Sequence, residues 1–160
     1  MAEQLYDRSS RECAVGHLDA RLRTAVLAEA ESRLLGDVAA TVVCCVETRS
    51  VPRRRTGFAR LLGGKALPET LAAAVLLPRH LLVAVSDANT GGVTALSGRL
   101  AEMTVAEVDP RLAIDSGVSL FARWSDQPEA GSIHLALGDD PAGASFREHL
   151  RHAVETAKGS

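Results

Sequence analysis

Between residues 15 and 35 apolar side chains recur three or four apart, at Val15, Leu18, Leu22, Val26, Ala30 and Leu34. That spacing predicts an amphipathic helix, with Glu29 and Arg33 able to pair one turn apart on its other side. Gly36 stands where a helix can end with a positive φ, and residues before about 12 carry no comparable pattern, so residues 1–14 read as a flexible N-terminus. The period then changes to two. In VAATVVCCVETR, the residues Val38, Ala40, Val42, Cys44 and Val46 fall on one face, predicting a strand with that face in the core.

LAAAVLLPRHLLVAVSD reads as two strands, about 70–77 and 80–87, broken at Pro78, which cannot donate to a ladder. DANTGG at 87–92 is a turn cluster, and VTALSGRLAEMTVAEVD holds a strand or a bent pair hinged near Gly98. GVSLFARW (117–124) alternates Val118, Leu120, Ala122 and Trp124 against Ser119, Phe121 and Arg123. SIHLALG (132–138) does the same with Ile133, Leu135 and Leu137, so both predict half-buried antiparallel strands. The chain closes with a helix over 141–157, announced by Asp140 as N-cap and Pro141 in the first helical position, its apolar stripe formed by Phe146, Leu150, Ala153 and Ala157. Helix, six or seven antiparallel strands, helix is the expected order, in one domain over 15–157 with a tail at 158–160.

At 160 residues and 46% hydrophobic, the chain has the size of one globular domain, and with aromatics at only 3% its core rests on Leu, Val and Ala. The series AAAVLLPRHLLVAVSD, VTALSGRLAEMTVAEVD, GVSLFARW, SIHLALG and FREHL resembles the bacterial pleckstrin-homology and GRAM-type domains over roughly residues 38–157. Leu77, Arg79 to Leu82, Leu100, Met103 and Phe146 are the matching positions. The resemblance implies a fold of α+β class, mainly antiparallel β: a barrel of two near-orthogonal sheets, capped by the C-terminal helix, to which the helix at 15–35 is an addition. It also implies a non-enzymatic binding or adaptor role, with the loop between the first two strands as a ligand site in many members.

Charge draws attention to that same place. RSVPRRRTGFARLLGGK, residues 49–65, holds six of the eighteen Lys and Arg with no acidic residue between Glu47 and Glu69, while the remainder carries twelve against twenty Asp and Glu. Arg49, Arg53, Arg54, Arg55, Phe58, Arg60 and Lys65 are therefore the candidate binding residues. Three readings of this loop stay open: contact with an acidic protein or peptide, contact with an anionic membrane through Arg60 beside Phe58, Leu61 and Leu62, and a solvated connector. The strand after the loop supplies no basic residue before Arg79, against a phosphoinositide site. A net charge of −2 and a single basic loop disfavour nucleic acid.

Candidate chemistry is sparse. Cys13, Cys44 and Cys45 lack ligand-pair spacing and read as reduced structural thiols, the adjacent pair pointing to opposite faces. His17, His80, His134, His149 and His152 are scattered, and Ser97 and Ser119 sit in no nucleophile-elbow pattern. TGG at 90–92 and LLGGK at 61–65 lack the spacing of a phosphate loop. No enzyme, metal or cofactor is expected. The first residues lack the apolar run of a signal peptide, which predicts a cytoplasmic protein, peripheral to the membrane in the lipid reading.

Overall fold

A computed structural model describes residues 5–53, 69–87, 91–106 and 116–159. Among the described residues, two antiparallel sheets and three α-helices make up an α+β architecture. The first sheet has the order β1 (Tyr6–Glu12), β2 (Cys44–Pro52), β3 (Thr70–Leu76), β4 (His80–Ser86) and β5 (Val93–Arg99), every pair antiparallel. Helix α1 (Ala20–Ser32) and the single turn α2 (Val38–Thr41) lie between β1 and β2. A 3-10 turn at Leu100–Glu102 then leads into the second sheet, β6 (Thr104–Ala106), β7 (Gly117–Ala122) and β8 (Gly131–Ala136), and α3 (Pro141–Lys158) ends the described chain. No ladder joins the two sheets among the described residues, so the barrel that the resemblance implies is not closed.

The large sheet is buried on both faces. On one side Cys45, Ala73, Val75, Leu77, Leu82 and Ala84 pack against Leu22, Val26 and Ala30 of α1, with Val15, Leu18 and Val38. On the other, Val46, Ala74, Leu76, Leu81 and Val83 meet Val118, Leu120, Ala122 and Leu135 of the small sheet and Phe146, Leu150 and Val154 of α3. This two-sided burial explains why β3 and β4 read as continuous apolar runs rather than alternating ones. Cys44 and Cys45 point to opposite cores, as their adjacency in a strand requires.

Three local expectations are corrected. The N-terminus expected to be flexible forms β1 over Tyr6–Glu12, and it is polar because its inward side chains are held by hydrogen bonds rather than by apolar burial. Ser10 and Thr48 share a hydroxyl hydrogen bond of 2.6 Å, and the Arg8 guanidinium donates to Ser50 Oγ at 2.9 Å. Ser10 also joins β1 to the start of α3: its N–H donates to Asp140 Oδ2 at 2.7 Å, and its Oγ accepts from the Gly138 N–H at 2.8 Å. Secondly, α1 ends at Ser32, where Leu34 adopts φ +57° while the Leu35 N–H bonds to Ala30 O and the Leu34 N–H to Glu31 O. This is a Schellman ending with leucine in the place glycine favours, and Leu34, expected in the buried stripe, is 91% exposed. Thirdly, the strand expected from Val38 starts at Cys44, because the Asp37 carboxylate accepts from the Ala40 N–H at 3.1 Å and caps a helical turn first.

The C-terminal helix follows its sequence signals. Asp140 Oδ1 accepts from the Gly143 N–H at 2.9 Å and Pro141 opens the first turn. Gly143 is required there, since a Cβ would fall 2.0 Å from the Gly138 carbonyl oxygen. Among the described residues no helix is long and apolar enough to cross a membrane.

Candidate functional site

Of the candidate loop, residues 49–53 are described. Arg49 lies within β2 and pairs with Glu69, and Arg53 Nε meets Asp7 Oδ1 at 2.8 Å. Arg54, Arg55, Phe58, Arg60 and Lys65 lie outside the described residues. Both described arginines of the run therefore carry a carboxylate partner, one of them supplied by the β1 strand that sequence reasoning missed.

Arginines without such partners gather at the opposite end of the large sheet. Antiparallel pairing sets His80 at the start of β4 directly opposite Arg99 at the end of β5, and the Leu100 N–H holds the Arg79 carbonyl at 3.0 Å. Arg79, Arg99 and the exposed Arg123 make no ion pair or side-chain hydrogen bond among the described residues.

Two adjoining depressions share His80 and Arg99. The larger, about 840 Å³, runs toward the C-terminal turns of α3, with Val43, Leu77, Pro78, Ala153 and Ala157 as apolar lining and His152 at its side. The smaller, about 400 Å³, lies toward α1 and is lined by Arg33, Leu35, Glu102, Arg123 and Trp124 among others. Together they are lined by four arginines against one glutamate. Burial, then the charges of Arg99 and Arg79, hold the His80 imidazole below its ordinary basicity, which marks a positive local field.

Other polar clusters serve the scaffold. Glu29, 12% exposed, accepts from Ser125 Oγ at 2.6 Å and Ser97 Oγ at 3.0 Å and pairs with Arg33 at 3.4 Å. The expected Glu29–Arg33 pair thus forms, turned inward to tie α1 to β5 and to the β7–β8 connection. The serine hydroxyls donate to a carboxylate and meet no imidazole, an arrangement that orients no nucleophile. His134 receives the Arg8 guanidinium at 3.3 Å, and His149 and His152 are exposed on α3. Burial raises the basicity of all three thiols, Cys44 to about 11, so each stays protonated at neutral pH. Among the described residues no three His, Cys, Asp or Glu come together as metal ligands.

Comparison of the sequence with protein-family models finds no match, and comparisons with characterised proteins and with solved structures likewise find none. The sequence reading missed this groove because its residues lie between positions 33 and 157 and only the strand register brings them together. The available signal was weak: Arg79 and His80 follow the strand-breaking Pro78, and Arg99 follows the hinge at Gly98.

Proposed function

We propose that this protein is a non-enzymatic binding domain whose groove at Arg79, His80 and Arg99 recognises an acidic protein or peptide segment. The observation that carries the reading is that Arg79, Arg99 and Arg123, which have no carboxylate partner among the described residues, lie around a partly apolar groove. Spread over two adjoining depressions, they suit an extended ligand with several carboxylates and an apolar anchor between them. The order of β2 to β5, β6 to β8 and a final helix is also the order expected of a pleckstrin-homology-like domain, in which the scaffold binds rather than catalyses. The added β1 and α1 belong to this chain. The basic run at 49–65, positive by its sequence, suits steering an acidic partner more than seating it.

A second reading, an anionic membrane surface, draws on Leu34, which projects into solvent beside the groove-lining Leu35. The test is fluorescence anisotropy with a labelled peptide alternating glutamate and leucine, beside a serine-for-glutamate control and anionic vesicles. The acidic peptide should bind, lose affinity as salt rises, and lose at least tenfold with the double change Arg79→Glu and Arg99→Glu. Equal affinity for both peptides, or binding untouched by the charge reversal, would refute the groove. Vesicle binding without peptide binding would favour the membrane.

A further inference from the structure

We propose that Arg79, His80 and Arg99 form a subsite for one compact oxyanion of the ligand, a carboxylate or a tetrahedral dianion, which fills together with a proton taken up by His80. This rests on the groove reading above and adds to it a mode of regulation. Directly opposed residues of an antiparallel pair hold their Cβ atoms about 4.5–5.5 Å apart, so the His80 and Arg99 side chains leave the sheet side by side. Arg79 precedes His80 in the chain and is fixed by its bond from Leu100. His80 and Arg99 line both depressions and Arg79 lines the larger one beside them, so an oxyanion seated there could be met by both guanidinium forks and the ring.

His80 is half-buried beside two guanidinium charges, and both effects favour the neutral ring. An oxyanion seated there reverses the balance: it cancels the field of Arg79 and Arg99 and accepts a hydrogen bond from the imidazolium. The other charged groups lining the two depressions are Arg33 and Arg123, which also disfavour the imidazolium, Glu102, which favours it, and His152 from α3. Since the filled site binds the proton more tightly than the empty one, the protonated site must bind the oxyanion more tightly in turn. Affinity therefore rises as pH falls through the neutral range, by up to about tenfold per pH unit for one linked proton. The groove would hold its ligand in mildly acidic surroundings and release it in alkaline ones.

The test follows the His80 ring resonances by NMR during pH titrations without ligand, with sulfate, whose charge is constant over this range, and with acetate. In parallel, affinity for the acidic peptide is measured from about pH 5.5, where its glutamates remain ionised, to about pH 8. Expected are an upward movement of the His80 midpoint with either anion, larger for sulfate, and a peptide affinity that rises toward low pH. His80→Gln should flatten the pH dependence by lowering affinity at about pH 5.5 toward its value at about pH 8, and His149→Gln, outside the groove, should leave that dependence intact. A His80 midpoint unmoved by both anions, or a pH dependence that survives His80→Gln, overturns the proposal. Peptide binding that is tight at every pH would leave the groove reading standing without its proton link. Absence of peptide binding at every pH would end both. The ring resonances of the unaltered protein decide the matter even if His80→Gln folds poorly.

Discussion

Asp140→Ala removes two contacts at once, because its carboxylate caps α3 through the Gly143 N–H and also accepts the Ser10 N–H of β1. Loss of an N-cap costs about 1 kcal/mol. Leaving the part-buried Ser10 N–H without an acceptor adds roughly 1–3 kcal/mol. The sum is about 2–4 kcal/mol, which for a chain of this length lowers Tm by roughly 4–16 °C. Urea unfolding gives the energy, and amide exchange should find Tyr6–Glu12 losing protection more than Thr70–Leu76. Asp37→Ala, which removes the cap of a single turn, serves as the contrast and should cost about 1 kcal/mol or less. A loss below about 0.5 kcal/mol for Asp140→Ala, or unprotected β1 amides in the unaltered protein, would refute the clasp between β1 and α3.

Leu34→Gly should stabilise the protein by about 0.5–1 kcal/mol, since relief of the left-handed leucine, worth roughly 1–2 kcal/mol, exceeds the entropy cost of a glycine and the exposed side chain has little burial to lose. A lowered urea midpoint would show that Leu34 does not adopt that conformation. The thiols should react slowly with iodoacetamide at neutral pH in the folded state and rapidly once unfolded. For stability against pH, the Cys44 thiol ionises near its usual 9.0 when unfolded and at about 11 when folded. The folded state therefore holds the proton longer, and the contribution of Cys44, complete below pH 9, should be lost between about pH 9 and 11. A Cys44→Ala protein with the same alkaline slope would contradict this.

Wherever apolar burial decides an element, the sequence announces it: Leu22, Val26 and Ala30 on α1, the runs of β3 and β4, the alternation of β7 and β8, and the capped stripe of α3. Where polar contacts decide, the signal is silent. β1 carries YDRSSRE, whose inward Arg8 and Ser10 satisfy the buried Ser50 and Thr48, and no hydropathy period records such a pairing. The helical turn at Val38–Thr41 hides within an alternating pattern because one capping aspartate outweighs β propensity. Charge was legible as a run at 49–65 but not as a surface. Arg49 and Arg53 are matched by Glu69 and Asp7 across strands, whereas Arg79, Arg99 and Arg123, isolated in sequence, are brought around one groove by the ladder and the turn after β7.

The central claim, that the functional surface is the groove and not the loop, is tested most directly by backbone amide shift mapping of the labelled protein with the acidic glutamate–leucine peptide. The account predicts that the largest movements fall on Arg79, His80, Arg99, Ala101 and the α3 residues His152 to Ala157, saturating together and fading at high salt. Movements confined to residues 49–65, or none at saturating peptide, would contradict it.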